Sequence, residues 1–249
     1  MSTKHDIRIE LPEDFDTQLR AAVAFFWRTR DAQATAQVEA GDQDRGARGA
    51  VTGGKQMDGF ASLITQALRL NGVLGGSIYA RIAIELPGYF RPTKQWDLLV
   101  VHEGTLLAVL ELKSQVGPSF GNNFNNRTEE AVGSAVDIWT AYREGVFGDV
   151  RRPWLGYLFM LEESAGSTSR VSVKEPHFPV FPEFKGASYA TRYEELCRRL
   201  VRENLYTEVA FCMSQRGDVD GSSFREPAPE LNTRAFIQSL LASVEIGLE

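Results

Sequence analysis

The sequence KQWDLLVVHEGTLLAVLELK, residues 94–113, places two apolar runs on either side of a short polar segment. This pattern predicts a β-hairpin. We expect a three-residue loop over 103–105, which would set Asp97 opposite Glu111 with Cβ atoms about 4.5–5.5 Å apart. Alternation along the second strand puts Lys113 on the same face as Glu111. The hairpin therefore predicts two carboxylates and one ammonium group together at its open end.

The paired carboxylates predict a site for a divalent cation. Like charges this close repel each other unless a cation lies between them, and Mg²⁺ prefers hard carboxylate oxygens while keeping several of its waters. The alternative is an ordinary ion pair at the ends of two strands. The apolar run over 106–110 favours the cation site, because it predicts a strand buried on both faces. Charged groups at the end of such a strand are costly unless they are paired or bound to a metal.

The composition is that of a globular protein. The 249 residues are 43% hydrophobic and 24% charged, which fits one large domain or a domain with an appendage. No apolar run approaches the roughly 20 residues that span a bilayer, and the N-terminus lacks the apolar core of a signal peptide. Cys197 and Cys212 lie in apolar segments without a CxxC pattern, so we expect reduced core thiols in a cytoplasmic protein.

The net charge is −6, from 27 basic and 33 acidic residues. This balance argues against a general nucleic-acid coat. It is compatible with a local basic cleft, because the field at a site depends on where the charges lie.

Apolar periodicity predicts a mixed α/β sheet with helices on its faces. The predicted helices lie near 12–40, 56–70, 128–143, 189–204 and 231–246, and the predicted strands outside the hairpin cover 78–86, 154–161 and 206–213. The glycine-rich, charged segment near 41–55 predicts a mobile loop. We therefore predict a single domain over residues 1–249 with a core of about 56–213.

The segment GPSFGNNFNNR, residues 117–127, predicts a loop that leaves the strand of Glu111 and therefore lies beside the site. Asparagine can pair with the major-groove edge of adenine, and Arg127 could pair with guanine. The alternative is that these residues serve as turn and cap residues, with Asn126 or Thr128 capping the next helix.

The segment GAVTGGKQ, residues 49–56, nearly matches a phosphate-binding loop. It fails at Gln56, where that motif needs serine or threonine, and no strand precedes it. We therefore predict no nucleotide cofactor. Contacts of Arg45, Arg48 and Lys55 with a nucleic-acid backbone are the favoured interpretation.

The pattern Asp97…Glu111-x-Lys113 resembles the signature of PD-(D/E)xK nucleases, with Trp96 where these enzymes usually carry proline. Most of the chain is similar to the XhoI family of type II restriction endonucleases. The segments GKQMDGF and SFGNNFNNR, at 54–60 and 119–127, belong to this similarity.

The resemblance implies a restriction-endonuclease-like mixed β-sheet core flanked by helices. It also implies a homodimer that cuts double-stranded DNA at the palindrome CTCGAG with Mg²⁺ and leaves 5′ overhangs. A two-fold symmetric dimer is the simplest reader of a palindrome. The implied catalytic core is the segment of about 56–213.

Site residues follow from the same resemblance. Asp97 and Glu111 become metal ligands, and Lys113 becomes the charge that positions and stabilises the attacking water. Asp58 is the candidate for a third acidic ligand, with Glu85 as the second choice. The residues expected to contact DNA are Gln115, Asn122, Asn123, Asn125, Asn126 and Arg127.

Other readings remain open at this point. The first is a repair or recombination nuclease without sequence preference, which would degrade a plasmid into a smear and not into discrete bands. The second is a DNA-binding module that does not cleave, against which the intact acidic pair and lysine argue. The third is a carbohydrate or phosphate-ester hydrolase that uses the same carboxylates.

Overall fold

The computed structural model describes residues 9–39 and 55–248. The expected mobile loop near 41–55 falls almost entirely outside these residues. So do Arg45, Arg48 and most of the segment that resembles a phosphate-binding loop.

The chain folds into six α-helices and seven β-strands in the described residues. The helices are α1 (Phe15–Glu39), α2 (Asp58–Leu70), α3 (Phe120–Arg143), α4 (Ala165–Thr168), α5 (Tyr189–Arg202) and α6 (Thr233–Leu248). The strands are β1 (Ile78–Ala80), β2 (Glu85–Pro87), β3 (Thr93–Gln95), β4 (Leu98–His102), β5 (Thr105–Gln115), β6 (Trp154–Glu162) and β7 (Glu208–Ser214).

Five strands form one mixed sheet in the order β1-β4-β5-β6-β7. The pairs β1–β4 and β4–β5 are antiparallel, whereas β5–β6 and β6–β7 are parallel. Strands β2 and β3 pair separately as a two-stranded ribbon. This arrangement confirms the predicted α/β class with a restriction-endonuclease-like sheet between helices.

Two apolar clusters cover the two faces of the sheet. One joins α1, α2 and α6 to even-numbered residues of β5 such as Leu110, and the other joins α3 and α5 to Val109. Every residue of β6 is buried. Because side chains alternate along β5, Glu111 lies on the same face as Val109, towards α3 and α5.

The hairpin differs from its predicted turn but keeps the predicted register at its open end. The turn has two residues, Glu103 and Gly104, with φ angles of 47° and 80°, as a type I′ turn requires. The expected three-residue loop is therefore wrong. A β-bulge opposite Val100 and Val101, with Leu107 of β5 as the extra residue, takes up the difference, so that Leu98 still lies opposite Leu110.

The predicted strand over 78–86 is divided in two. It ends at Ala80 and resumes at Glu85, because Arg81 and Ala83 adopt positive φ angles of 71° and 52°. A residue with positive φ does not continue a strand. The second half therefore leaves the large sheet and pairs with β3.

The predicted loop over 117–127 is mostly helix, since α3 begins at Phe120 and includes all four asparagines. The N-cap position is Ser119, so the expected caps at Asn126 and Thr128 are also wrong. The rings of Phe120 and Phe124 pack against α5. This tertiary packing overrides the weak helix preference of asparagine and glycine.

Both cysteines are free and buried, which agrees with the predicted core thiols. Burial raises the pKa of Cys197 and Cys212. In the described part of the chain, no helix has the length and apolar character that crossing a bilayer requires.

Candidate active site

The structure brings Asp97, Glu111 and Lys113 together at the open end of the hairpin. Lys113 Nζ lies 2.8 Å from Glu111 Oε1 and 3.5 Å from Asp97 Oδ2. Glu111 and Lys113 lie on one face of strand β5, and Asp97 is the residue immediately before β4. The ammonium group therefore bridges the two carboxylates.

The backbone of β5 fixes Asp97. Its N–H donates to the Leu110 carbonyl oxygen at 3.1 Å, and its Oδ2 accepts from the Leu112 N–H at 2.7 Å. The neighbouring Trp96 is buried and anchors the chain at this point. The carboxylate is thus held next to Glu111 by main-chain contacts as well as by charge.

Glu111 is a buried carboxylate whose two oxygens have different surroundings. Oε1 accepts from Lys113 at 2.8 Å and from Lys94 at 3.0 Å. Oε2 is buried and has no hydrogen-bond partner among the described residues. Burial works to raise the pKa of Glu111, but the ammonium groups of Lys113 and Lys94 outweigh this effect and lower the pKa.

Lys113 is held in its charged form by the same contacts. Burial works to lower the pKa of Lys113, but the carboxylates of Glu111 and Asp97 outweigh it and raise the pKa. Both members of the central ion pair are therefore charged at neutral pH.

The donor set fits a hard divalent cation. A buried carboxylate oxygen without a donor is costly, and a cation bound at Glu111 Oε2 would satisfy it. Asp97 supplies a second carboxylate nearby. Mg²⁺ is commonly bound by one or two carboxylates and keeps several waters, so these two side chains are sufficient for a site of this kind.

The expected third acidic ligand lies elsewhere in the structure. Asp58, in the first turn of α2, pairs with Arg81 at 2.5 Å. Glu85 accepts a hydrogen bond from Gln95 Nε2 at 3.1 Å. In the part of the chain that the structure describes, no three acidic, His or Cys side chains are grouped so that they could hold a metal ion.

A cavity of about 380 Å³ opens beside the acidic pair. Strand β5, the ribbon and helix α3 form its walls, and cationic groups outnumber carboxylates along them. It is lined by Arg91, Lys94, Glu111, Lys113, Arg127, Glu129, Glu130, Gly133 and Ser134.

The residues expected to contact DNA are divided between the surface and the core. Arg127 lines the cavity and pairs with Glu130. The exposed members of the set are Asn122, Asn125 and Asn126, and Asn123 is partly buried. These asparagines are therefore side chains of the first turns of α3 and not of a loop.

Gln115 is the exception, and its predicted DNA contact is not supported. Its side chain is 3% exposed, its Oε1 accepts from the Tyr193 hydroxyl, and its Nε2 donates to the Ser119 carbonyl oxygen at 3.3 Å. Alternation along β5 places Gln115 on the face of Glu111, but α5 covers that face at this point. The residue joins β5 to α3 and α5 inside the protein.

The model of the restriction endonuclease XhoI family matches residues 36–226 of this chain. The chain belongs to the XhoI family. It is therefore a type II restriction endonuclease, a class of metal-dependent enzymes that cleave DNA at defined sequences.

Curated relatives cover most of this XhoI-family chain. The type II restriction enzyme BstVI of Geobacillus stearothermophilus is 53% identical over 212 residues, which span 83% of this chain and 94% of BstVI. The type II restriction enzyme XhoI of Xanthomonas vasicola is 49% identical over 193 residues, 76% of each chain. The type II restriction enzyme AbrI of Azospirillum brasilense is 49% identical over 166 residues, 66% of this chain and 74% of AbrI. No solved structure gives a significant match.

Sequence analysis missed two basic residues of this XhoI-family site, Arg91 and Lys94. Both line the cavity from the ribbon of β2 and β3. The ribbon was not predicted, because β3 has only three residues and the residues of β2 were included in the predicted strand over 78–86. The closeness of Lys94 to Asp97 in the sequence was the one available signal.

Sequence analysis also missed Asp137 on α3, which holds the ribbon turn in place. Its Oδ1 accepts from the N–H groups of Tyr89 and Phe90, each at 2.8 Å, and its Oδ2 accepts from Arg91 Nε at 2.6 Å. These bonds fix the turn between β2 and β3. Arg91 is thereby held at the cavity of the XhoI-family site.

Proposed function

We propose that this chain cuts both strands of DNA at the palindrome CTCGAG by Mg²⁺-dependent hydrolysis. The observation that carries the proposal is Glu111. Its carboxylate is buried, ionised and held through Oε1, while Oε2 has no hydrogen-bond partner in the described part of the chain. A divalent cation at such a site would activate a water and polarise the phosphate for hydrolysis.

Asp97 and Glu111 would hold Mg²⁺, which when bound supplies a Lewis acid and a more acidic water. Lys113 offers a compact charge between the two carboxylates. We assign to it the positioning of the attacking water and the stabilisation of negative charge that develops at the phosphate.

The basic lining of the cavity would receive the phosphate. Arg91 in the turn of the ribbon and Arg127 on α3 both line the cavity. Guanidinium groups match phosphate oxygens in geometry and charge. The exposed asparagines Asn122, Asn125 and Asn126 on the first turns of α3 are the proposed base contacts.

A palindromic site is read most simply by a symmetric pair of chains. We therefore propose a homodimer, in which each chain places one acidic pair at one strand of the duplex. The relatives' names as type II restriction enzymes support cleavage at a defined sequence, and the symmetry of the palindrome supports the dimer.

Plasmid cleavage tests the function directly. The purified chain is incubated with a plasmid that carries one CTCGAG sequence, with and without Mg²⁺, and the product ends are sequenced. We expect one linear product that depends on Mg²⁺. The variants Asp97→Ala and Glu111→Ala should remain folded and lose cleavage, because each removes a carboxylate ligand.

Glu144→Ala is the control, since Glu144 is an exposed carboxylate at the end of α3. It should cut at the wild-type rate. Cutting by Asp97→Ala or Glu111→Ala at near wild-type rate would show that the proposed site is wrong. A smear of products would indicate a nuclease without sequence preference, and cuts at another sequence would refute the CTCGAG assignment.

A further inference from the structure

Lys94 enters the acidic site from outside the main sheet. It lies on β3 of the ribbon, yet its Nζ is 3.0 Å from Glu111 Oε1 and its side chain is 12% exposed. The same ammonium group lies 4.2 Å from the centroid of the Trp96 ring. A buried carboxylate on one side and an aromatic face on the other therefore fix its position.

Two ammonium groups contact Oε1 of Glu111, and among the residues that the structure describes none contacts Oε2. If Lys94 and Lys113 served only to neutralise Glu111, a lysine on each oxygen would leave no buried acceptor without a donor. The structure instead leaves Oε2 buried and without a partner among the described residues. This asymmetry points to a function in which Oε2 is kept free.

The two lysines differ in their other contacts. Lys113 is shared between Glu111 and Asp97, at 2.8 and 3.5 Å. Lys94 has Glu111 as its one ion-pair partner in the described part of the chain. A contact with Lys113 alone would loosen whenever that lysine turned towards water or phosphate, whereas Lys94 can hold Oε1 throughout.

We propose that Lys94 is a positioning residue that orients Glu111 through Oε1, so that Oε2 faces the metal and Lys113 is free for the chemical step. This inference rests on the proposed function. Hydrogen-bond partners of metal ligands fix the orientation of those ligands, and their removal typically costs about 10–100-fold in metal affinity or activity.

The sign of the change in metal affinity separates orientation from charge. Removing a nearby positive charge, by itself, should make a cation bind more tightly. Losing the orientation of a ligand should make the cation bind more weakly. A charge effect and a positioning effect therefore shift the affinity in opposite directions.

Calorimetric titration with Mn²⁺, without DNA, measures this affinity in the wild type and in Lys94→Met. Methionine keeps most of the aliphatic stem against Trp96 and removes the ammonium group. Lys185→Met is the matched control, because Lys185 also pairs with a glutamate, at 3.2 Å, but its side chain is 51% exposed. Single-turnover cleavage at saturating Mn²⁺ gives a second readout, and Lys94→Arg tests rescue.

We expect Lys94→Met to bind Mn²⁺ about tenfold more weakly and to cleave more slowly at saturating Mn²⁺. Lys94→Arg should recover most of both losses, and Lys185→Met should match the wild type. Unchanged or tighter Mn²⁺ binding by Lys94→Met would overturn the proposal.

Folding and function are checked separately. Circular dichroism reports whether Lys94→Met is folded. If it is not, Lys94→Gln replaces it in the test, because its amide can donate to Oε1 without a charge. We expect Lys94→Gln to bind Mn²⁺ more weakly than the wild type, by a smaller factor than Lys94→Met. A wild-type chain that binds Mn²⁺ but leaves DNA intact would refute the proposed function, while the comparison of Mn²⁺ affinities would still decide the role of Lys94.

Discussion

At the scale of single residues, Glu111 is the residue on which the proposed chemistry depends most. It is buried and ionised, and it is held by two lysines that come from different sheets. Sequence patterns identified Asp97, Glu111 and Lys113 because a hairpin register relates them. They could not identify Lys94, whose approach depends on how a separate ribbon folds over the site.

The ionisation of Glu111 predicts a pH dependence of stability in the metal-free protein. Its pKa is lowered from 4.5 in the folded state. The stabilisation is therefore present above the unfolded-state pKa and is lost as the pH falls through the lower folded-state pKa. Between about pH 5 and pH 3, the wild type should lose more free energy of unfolding than Glu111→Gln, as measured by urea denaturation across this range.

Glu144→Gln, which removes an exposed carboxylate, serves as the control and should follow the wild-type curve. If the free energy of unfolding fell equally with pH in the wild type and in Glu111→Gln, Glu111 would not stabilise the folded state through its charge.

At the scale of elements, helix α3 is the feature that sequence reasoning described least well. Four asparagines and two glycines near its start predicted a loop, whereas Phe120 and Phe124 are the residues that determine the helix through contacts with α5. A propensity is a local quantity, and contacts between two helices far apart in sequence are not visible to it. The longer apolar strands, β5, β6 and β7, were predicted more closely.

The position of Arg127 on α3 leads to a prediction about binding. Because Arg127 lines the same cavity as Glu111 and Lys113, we expect it to contact phosphate and not a base. Arg127→Ala should weaken cognate and non-specific DNA binding together. The slope of log K against log salt should flatten by roughly one.

Fluorescence anisotropy with a CTCGAG duplex and a scrambled duplex, across a salt series and with Ca²⁺ in place of Mg²⁺, measures both affinities. A loss of about 1–3 kcal/mol on the cognate duplex alone would instead assign Arg127 to base recognition.

At the scale of the whole molecule, the fold class was predictable because the alternation of long apolar strands and helices leaves few architectures. The two apolar clusters confirm that both faces of the sheet are covered. The extent of the single domain, 1–249, stays a prediction. The sequence could not place a third acidic ligand, because the position of Asp58 depends on how α2 packs, and in the structure Asp58 pairs with Arg81.

The assembly state is the prediction at this scale. Light scattering should give twice the mass of one chain in solution, and on a CTCGAG duplex two chains per DNA molecule. A palindrome offers two equivalent half-sites, and each chain would bring its Asp97 and Glu111 to one of them. A mass of one chain, both free and on cognate DNA, would contradict the homodimer.

The bulge opposite Val100 and Val101 determines which residue of β5 lies opposite Asp97. Between the turn and the acidic pair, β5 has one residue more than β4. The bulge takes up this extra residue and so sets Asp97 beside Glu111. If the two strands paired without the bulge and kept all their residues, a ladder continued from the same turn would set Asp97 opposite Leu110. Since a slip of one residue moves side chains to the opposite face, Asp97 and Glu111 would then point to opposite faces of the sheet. The spacing across the turn is therefore as much a condition for activity as the identity of the acidic residues.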